Sequence, residues 1–419
     1  MTLPMADEEL LSKIHGLGDL DLAALLCLLS REHCIISTEP EALDDLVEEL
    51  QLVVTETFNL KPAVVSLNSE TTLDEFAASI LLSSANSRAS SPLRSRTPVQ
   101  DSYFHSSLHP SSHGQRAHRA GLSPLSQISP SSNTTIGQQP APQIANVILA
   151  RDLDKAPKVV QIQALELLRT RRIFTRTSVQ TAPKQFLFVA VLGAGSGGEA
   201  RVTEHLNDAF YLAHWHDPLD GFAHLEERDG GLIEDDEKQG QQNGGDGSDS
   251  DASVVRRPSR ASTPHHELFP SSPSRGLSKI QSENESSGPL ITESDITTLS
   301  LASRSVNVDV EILRYQMNLV SFLRMHHAVA GGIIPLATKH FDGLIRSMAV
   351  LHGLDFVTPA LVVLALRKIY LHRIRIVTDP SKERSVQWGS EVAAVEQLLE
   401  GVGPEDVMED VIEMVDVPL

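Results

Sequence analysis

The sequence predicts an α/β protein that has a parallel sheet and a helical C-terminal part. Phe186–Leu192 is apolar at every position, which is typical of a parallel strand that is covered on both faces. Further along the chain, Phe341, Leu344 and Met348 recur at helical spacing. Long segments rich in Ser, Pro and Gly separate these patterned blocks. The predicted fold is therefore an α/β module with a helical lid, interrupted by two linkers.

Acidic residues outnumber basic residues by 55 to 35 in the 419-residue chain, which gives a net charge of −20. Nonspecific nucleic-acid binding depends on Lys and Arg that neutralise phosphates, so this balance disfavours it. No apolar run approaches the ~18–20 residues that a bilayer-spanning helix needs. We therefore expect no nucleic-acid partner and no membrane association.

The two cysteines, Cys27 and Cys34, cannot form a disulfide scaffold. They lie in an apolar helix and just after it, which favours packing over a nucleophilic or metal-binding role. The segment Met1–Leu10 is acidic where a secretory signal would be basic. These features indicate a reducing, intracellular compartment, either the cytoplasm or the nucleus.

Composition divides the chain into patterned blocks and linkers. The two linkers cannot bury enough apolar area to offset the ordering of their backbone, so we expect both to be disordered. The predicted boundaries are 1–83 for N-terminal helices and a strand–loop–helix, 84–142 for a Ser/Pro-rich linker, 143–225 for the α/β core, 226–304 for an acidic linker, 305–392 for the helical lid, and 393–419 for an acidic tail that is a candidate for one more helix.

The linkers contain candidate phosphorylation sites. Four Ser or Thr residues precede Pro, and a fifth site follows Arg256-Arg-Pro in a pattern that suits a basophilic kinase. Phosphorylation would add local negative charge. Ser-Pro pairs also arise by chance in any Ser/Pro-rich segment, and this interpretation is favoured. The candidates are Ser91, Thr97, Ser123, Ser129 and Ser259.

In the first block, apolar residues recur at helical spacing over Leu10–Leu28 and again over Leu43–Val53. Ala63–Leu67 is a short β-branched run and predicts the first strand. A polar loop, Asn68–Thr72, and a helix over Leu73–Leu82 follow. This order of strand, polar loop and helix is half of a βαβ unit.

The second block resumes the α/β pattern. Ala145–Ala150 predicts a buried strand, Val159–Arg172 predicts a helix, and Tyr211–His216 is consistent with a half-exposed edge strand. In the third block, Thr358 and Pro359 predict a helix start, because Pro is favoured at the first helical position.

Gly193–Gly198 follows the strongest strand and fits the pattern G-x-G-x-x-G. A dinucleotide site needs an acid at the end of a second strand about 20 residues on. At that distance, Asp217 and Asp220 lie in an irregular segment. A phosphate loop needs Lys and Ser or Thr next, but Glu199 and Ala200 follow. A flexible strand-to-helix turn is the favoured interpretation.

His205, His214, His216 and His224, with Asp208 and Asp217, are a possible metal cluster. Within it, His214 and His216 are separated by one residue of a predicted strand. Their spacing places both imidazoles on one face of a strand, which suits zinc or iron. No Cys lies nearby, and no ligand pair has helical i, i+4 spacing. An edge strand explains the pattern equally well, so the metal site is only an alternative.

Two basic runs, Arg169–Arg172 and Arg367–Arg375, are candidates for an anion or partner surface. Cations near a helix C-terminus are also favoured by the helix dipole, and this explains the first run more simply. The second run belongs to the predicted lid, where packing on a neighbouring subunit is favoured.

Four segments carry a resemblance to a known family. Ile148–Pro157 is similar to a Walker B strand and the turn after it, and Phe186–Leu192 is similar to a sensor-one strand. Asn207–Phe210 is similar to a Leu-Asp-Arg-Phe element, and Ile334–Ile374 is similar to a helical lid, which is the most specific match. Together they resemble the MoxR/magnesium-chelatase branch of AAA+ ATPases, in particular fungal chelatase-like proteins.

The resemblance implies a phosphate loop after the first strand, at Asn68–Thr72. This loop has neither the glycine nor the lysine that would cradle a phosphate, although Thr71 or Thr72 could mimic the magnesium-binding hydroxyl. The acidic Walker B pair falls on Arg151 and Asp152, so a cation replaces the metal-coordinating carboxylate. Only Asp152 is left there as a doubtful nucleotide-binding residue.

By the same resemblance, the arginine-finger position is Ala209 and the sensor-two arginine position is Leu336. An arginine finger alone can account for about 10³–10⁵ in rate. The losses therefore imply a degenerate AAA+-like protein that is inactive as an ATPase and needs no cofactor. It would serve as an assembly or interaction module for a second copy or an active AAA+ subunit. The alternative is an ATP-dependent chelatase-type ATPase subunit that uses ATP and magnesium.

Overall fold

The computed structural model describes residues 8–82, 143–175, 178–228, 289–384 and 391–418. The first predicted linker lies outside these ranges, as does most of the second. The candidate phosphorylation sites also lie outside the described residues and stay predictions: Ser91, Thr97, Ser123, Ser129 and Ser259.

Five parallel strands form the central sheet, as the sequence predicts. In space their order is β2 (Pro62–Ser66), β5 (Val147–Arg151), β8 (Leu187–Gly193), β1 (Cys34–Thr38) and β9 (Leu212–Trp215). The remaining strands are short, with β6 antiparallel to β7 and β10 antiparallel to β11. The strands are β1 (Cys34–Thr38), β2 (Pro62–Ser66), β3 (Leu81–Leu82), β4 (Gln143–Ile144), β5 (Val147–Arg151), β6 (Arg172–Phe174), β7 (Val179–Thr181), β8 (Leu187–Gly193), β9 (Leu212–Trp215), β10 (Val329–Gly331) and β11 (Arg375–Ile376).

The strand β8 is buried on both faces, which confirms the prediction from its uniformly apolar sequence. Leu187, Val189 and Val191 point to one face and pack in the main hydrophobic cluster of the fold. Phe188 and Ala190 point to the other face and are fully buried as well. Because side chains alternate along a strand, only a sheet covered by helices on both sides hides all of them.

The chain reverses its direction of travel across the sheet between β1 and β8. After β1 it crosses to the far edge strand β2, and after β8 it crosses to the opposite edge strand β9. β1 and β8 are direct neighbours, with Cys34 paired to Val189 and Thr38 to Gly193. This is the topological switch point of the sheet, and its carboxyl end is where ligands bind in open α/β folds.

The strand β1 was not predicted from the sequence. The Ala63–Leu67 segment, predicted as the first strand, is the second strand of the chain. Cys34–Thr38 is a short run with two β-branched isoleucines and directly follows a helix, so its own pattern is weak. Its central position comes from pairing with both β8 and β9. As a result, the predicted phosphate loop Asn68–Thr72 follows an edge strand, β2, and lies away from the switch point.

Helices cover the sheet and extend into the lid. The predicted helices at Leu43–Val53 and Val159–Arg172 are confirmed, whereas the Leu10–Leu28 pattern divides into two helices at Gly16–Gly18. The α-helices are α1 (Glu8–His15), α2 (Asp19–Ser30), α3 (Leu43–Leu52), α4 (Leu73–Ser79), α5 (Lys158–Thr170), α6 (Glu204–Asn207), α7 (Glu293–Ser305), α8 (Val310–Met325), α9 (Pro335–Leu351), α10 (Pro359–Tyr370), α11 (Val392–Leu399) and α12 (Pro404–Met414).

The helical lid is confirmed, but it starts earlier than predicted. Helix α7 begins at Glu293, within the segment 226–304 that was predicted to be a linker, and ends at Ser305. Thr292 and Asp295 form a capping box at its start, and Ile296 and Leu299 are buried on its inner side. This capping pattern was a readable signal. Packing of α7 against α2 and α9 then orders the segment.

The lid is continuous with the core of the fold. Helix α9 packs against α2, and α10 packs against the edge strand β9. The strand β9 is consequently buried, and the prediction that Tyr211–His216 is half-exposed is wrong. The acidic tail holds two helices, α11 and α12. Within the described ranges, no helix combines the length and apolarity needed to cross a membrane.

Candidate functional site

The carboxyl ends of β1 and β8 form the switch-point crevice, where Glu39 and Pro40 lead from β1 toward α3. The N–H of Ala194 donates to the carbonyl oxygen of Thr38 over 2.9 Å. A Cβ atom on Gly193 would lie 3.2 Å from Cα of Pro40, so the two segments are in close contact. The segments after β1 and β8 therefore pack closely together at this crevice.

An ion pair between Asp44 and Arg151 lies beside this crevice. Asp44 belongs to the first turn of α3, and Arg151 is the last residue of β5. Nε of Arg151 also lies 3.3 Å from Oδ2 of Asp152, whose Oδ1 accepts a hydrogen bond from Lys155 over 2.7 Å. The carboxylate of Asp152 is therefore engaged by two cations from its own segment.

The segment after β1 carries negative charge. Glu39, Glu41, Asp44 and Asp45 are exposed before and within the first turn of α3. Residues 39–45 contain neither a glycine nor a basic residue. A helix N-terminus attracts anions through its free N–H groups and its dipole, but these carboxylates already supply the negative charge. This helix end is therefore unfavourable for a phosphate.

The two threonines proposed for the phosphate loop make local hydrogen bonds. The hydroxyl of Thr71 donates to Oδ1 of Asn68 over 3.2 Å. The hydroxyl of Thr72 donates to Oε2 of Glu75 over 3.0 Å and accepts from the N–H of that residue, forming the capping box of α4. Thr71 and Thr72 thus organise a helix start at the edge of the sheet.

Carboxylates engage the N–H groups of the glycine motif Gly193–Gly198. The N–H of Gly195 donates to Oε2 of Glu199 over 3.2 Å. The N–H of Gly198 donates to Oε1 of Glu405, at the start of α12, over 3.0 Å. These are donors that a phosphate would need, and internal carboxylates already accept from them.

Close packing explains why glycines occur in this loop. A Cβ atom on Gly197 would lie 2.6 Å from Cδ2 of Leu371 and 3.0 Å from Cβ of Trp215. A Cβ atom on Gly198 would lie 3.0 Å from Cδ of Pro404. The loop lets the lid and the C-terminal helix approach the sheet, and no helix starts before Glu204. The loop connects β8 to α6, as the predicted strand-to-helix turn does, and its flexibility stays a prediction.

Ala209 and Leu336 line one cavity of about 410 Å³, which we call the amino-end cavity. It lies at the amino ends of the strands, because Arg31 precedes β1 and Ala209 precedes β9. Arg169 and Arg171 also line it. The two positions come together as a pair, but at the end of the sheet opposite the switch point. A side chain there is remote from the crevice of its own subunit.

His214 and His216 are buried and do not form a metal site with other described residues. Nδ1 of His214 lies 2.7 Å from Nζ of Lys368, and Nε2 of His216 lies 3.0 Å from the carbonyl oxygen of Gly221. The two ring centroids are 6.4 Å apart. Across the described parts of the chain, no group of three potential ligands is close enough to hold a metal ion.

The second basic run is interior at His372 and Arg373, so the expectation of a partner surface at these two residues is wrong, whereas Arg367 is exposed. Both side chains are fully buried. The guanidinium of Arg373 donates to the carbonyl oxygens of Phe210 and Ile369 and to Nδ1 of His340. Burial lowers the pKa of Arg373 to about 10. This arginine joins the lid to the segment before β9.

His224, predicted only as a possible metal ligand, belongs to a polar cluster whose contacts were not predicted from the sequence. Nε2 of His224 lies 3.2 Å from Oδ2 of Asp21, and the other oxygen of Asp21 accepts from the hydroxyl of Thr57 over 2.7 Å. The hydrogen bond with Asp21 raises the pKa of His224 to about 9, with further contributions from Glu49 and Glu56. No short motif marks this cluster, because its members are far apart in the chain.

Solved structures of similar fold include an ATPase candidate from Cytophaga hutchinsonii. The TM-score is 0.54 at 12% sequence identity, with 98% of this chain and 94% of that chain covered. The fold is AAA+-like. A full-length MCM homolog from Methanopyrus kandleri matches with a TM-score of 0.38 and 9% identity, over 88% of this chain and 60% of that one. That second likeness is too low to support an argument.

Sequence comparison adds little to this structural likeness. A segment of 111 residues is 28% identical to Maintenance of telomere capping protein 2 of Lachancea thermotolerans. It spans 26% of this chain and 39% of that protein. No protein-family profile matches the chain. The comparisons thus support the AAA+ fold, and they do not single out its magnesium-chelatase branch.

Proposed function

We propose that this chain is a non-hydrolysing AAA+-like assembly module, related to the magnesium-chelatase branch. The ion pair between Asp44 and Arg151 carries the proposal. In a phosphate-loop ATPase the loop supplies a lysine and the neighbouring strand supplies a metal-binding carboxylate. Here the acid follows β1 and the cation ends β5, so the two charges have exchanged places. They neutralise each other, and neither is left for a phosphate or for magnesium.

The contact between Pro40 and Gly193 supports the same proposal. Phosphoryl transfer depends on positioning and on charge neutralisation around the phosphates. The loop that would do both is replaced by residues 39–45, which pack on β8 and carry four carboxylates. Glu405 and Glu199 accept from the glycine-motif N–H groups, which removes a second place where phosphate oxygens could be bound.

Titration calorimetry with ATP and ADP, with and without magnesium, tests the loss of nucleotide binding. We expect no heat of binding at millimolar nucleotide. The same titration on Arg151→Asp, which restores an acid at the end of β5, should also show none, because Pro40 still occupies the crevice. Magnesium-dependent binding to the wild-type chain would overturn the proposal and favour the alternative, an ATP-dependent chelatase-type ATPase subunit.

Charge complementarity between the two ends of the sheet supports assembly with a second copy. The carboxyl end presents Glu39, Glu41 and Asp45, whereas the amino-end cavity presents three arginines, at 31, 169 and 171, against two acids, Glu32 and Asp208. Such an arrangement suits head-to-tail contact, because the basic end of one copy faces the acidic end of the next. The same geometry accounts for Ala209 and Leu336, which would face a neighbouring subunit.

Light scattering on the purified chain at low salt tests this assembly. We expect oligomers that dissociate in high salt, since the contact is largely electrostatic. Arg31→Glu with Arg169→Glu should give monomers, whereas Arg314→Glu, which makes the same change per residue at an exposed lid residue paired with Glu311, should not. Monomers at every concentration, or oligomers that ignore the Arg31 and Arg169 substitutions, would contradict the assembly role.

A further inference from the structure

A cavity of about 500 Å³ lies where the lid meets the core, and we call it the lid cavity. Helices α1 and α2 form one wall, and helices α9 and α10 with the strand β9 form the other. Most of the lining side chains are aliphatic, including Leu22, Leu26, Met348 and Leu364. This volume is in the range of cavities that hold small organic molecules. It is separate from the switch-point crevice and has no part in the proposed function.

The polar side chains of the lid cavity are His15, Asp19, His214, His352 and Lys368, and two of them, Lys368 and His214, contact each other. Nζ of Lys368 lies 2.7 Å from Nδ1 of His214. An ammonium group can only donate, so Nδ1 accepts and the imidazole is neutral with its proton on Nε2. Burial and the nearby Lys368 cation lower the pKa of His214 to about 3. The pair is therefore a cation with a neutral partner.

The ammonium of Lys368 has no carboxylate partner of its own. No ion pair of Lys368 occurs among the described residues, and His214 is its one hydrogen-bond partner there. Burial lowers the pKa of Lys368, while the more distant carboxylate of Asp19 acts in the opposite direction. A partly buried cation of this kind is normally paired. Two of its three N–H groups are left for an acceptor, and an apolar cavity adjoins them.

We propose that the lid cavity binds an apolar molecule that carries a single carboxylate. The carboxylate accepts from Lys368, and the apolar body packs on the leucines and Met348. One cation and the carboxylate of Asp19 at the same cavity disfavour a dianionic phosphate. The wall is mainly aliphatic, with His15 and His352 as its remaining polar side chains, and this disfavours a polar molecule such as a nucleotide. A bound ligand would join α2 to α9 and α10, and so hold the lid on the core.

Binding of decanoate, below its micelle-forming concentration, tests this proposal by calorimetry and thermal unfolding. We expect a Kd on the order of 10–100 µM, given the usual binding free energy per atom of a ligand of this size, and a rise in Tm. Lys368→Met should weaken binding at least tenfold. Lys339→Met, an exposed lid lysine outside the cavity, is the matched control and should bind as the wild type does. Methyl decanoate, which has no charge, should also bind at least tenfold more weakly.

A second variant tests the location without changing any charge. Ala23 lines the lid cavity and is buried, so Ala23→Phe should fill the space and weaken decanoate binding at least tenfold, with folding checked by circular dichroism. Absence of decanoate binding to the wild-type chain would overturn the proposal. It would also fail if Lys368→Met or Ala23→Phe bound decanoate as tightly as the wild type. None of these results depends on whether the chain binds ATP.

Discussion

Asp44 and Arg151 are 107 positions apart in the chain and form an ion pair beside the switch-point crevice. The carboxylate comes from the helix after β1 and the guanidinium from the end of β5, with β8 between the two strands. This arrangement reverses the distribution of charge that phosphate and magnesium require. The strands that would build a nucleotide site are therefore present, while the side chains of Asp44 and Arg151 pair with each other.

The Asp44–Arg151 pair should contribute modestly to stability. The Arg151 side chain is 29% exposed and the Asp44 side chain 72%, so solvent screens the interaction. A double-mutant cycle with Asp44→Ala and Arg151→Ala should give a coupling of about 0.5–1 kcal/mol in chemical unfolding, decreasing at high salt. A coupling near zero at low salt would show that the pair does not persist in solution.

Substitution of Gly332 should be severely destabilising. Gly332 has a φ of 100°, and a Cβ atom there would lie 1.7 Å from the carbonyl oxygen of Arg373. Gly332→Ala should lower the free energy of unfolding by about 3–5 kcal/mol, because backbone strain and a main-chain clash add together. Gly401→Ala is the control: its φ is 77°, but nothing lies within 4 Å, so only strain of about 1 kcal/mol is expected. Equal losses in the two variants would refute the close contact.

Arg373 should be necessary for attachment of the lid. It is 1% exposed and donates to the carbonyl oxygens of Phe210 and Ile369. Arg373→Met should lower the free energy of unfolding by about 2–4 kcal/mol, because these buried acceptors lose their donor. Hydrogen exchange should also speed up in α10 and β9. Arg367→Met, which removes an exposed pair with Glu409, should cost less than about 1 kcal/mol.

Stability should fall between about pH 6.5 and pH 9 because of His224. Its pKa in the folded protein is about 9, above the 6.5 of an unperturbed histidine. The folded state therefore binds a proton that the unfolded state releases first, and the stabilisation is complete below pH 6.5 and lost as the pH rises through 9. We expect a change of about 1–2 kcal/mol after allowance for solvent screening.

Chemical unfolding at a series of pH values measures this dependence. His224→Gln should remove most of the decline in stability over that range. His205→Gln, at an exposed histidine, is the control and should retain it. If the wild-type chain and His224→Gln have parallel profiles, the charged contact between His224 and Asp21 is not present in solution.

The sequence by itself determined the elements whose patterns are long or uniform. Phe186–Leu192 required a strand hidden on both faces, and the helical spacing of Phe341, Leu344 and Met348 required a buried helix face. Pro359 after Thr358 fixed the start of α10. These predictions succeeded because hydrophobic periodicity acts locally, over one element. The AAA+-like fold and the position of Arg151 at the end of a Walker B-like strand came instead from the resemblance to a known family.

Only the tertiary structure decided that β1 lies inside the sheet and which side chains contact each other around it. Cys34–Thr38 is too short for its sequence pattern alone to predict a strand. Its place between β8 and β9 follows from long-range pairing. That pairing put Asp44 opposite Arg151 and moved Asn68–Thr72 to the edge of the sheet. Likewise, the sequence shows Lys368 only as one cation of a basic run in the lid. Its contact with His214 forms only when the lid packs on the sheet. Such partners are distant in the chain, and no local pattern encodes a contact that forms only when separate elements pack together.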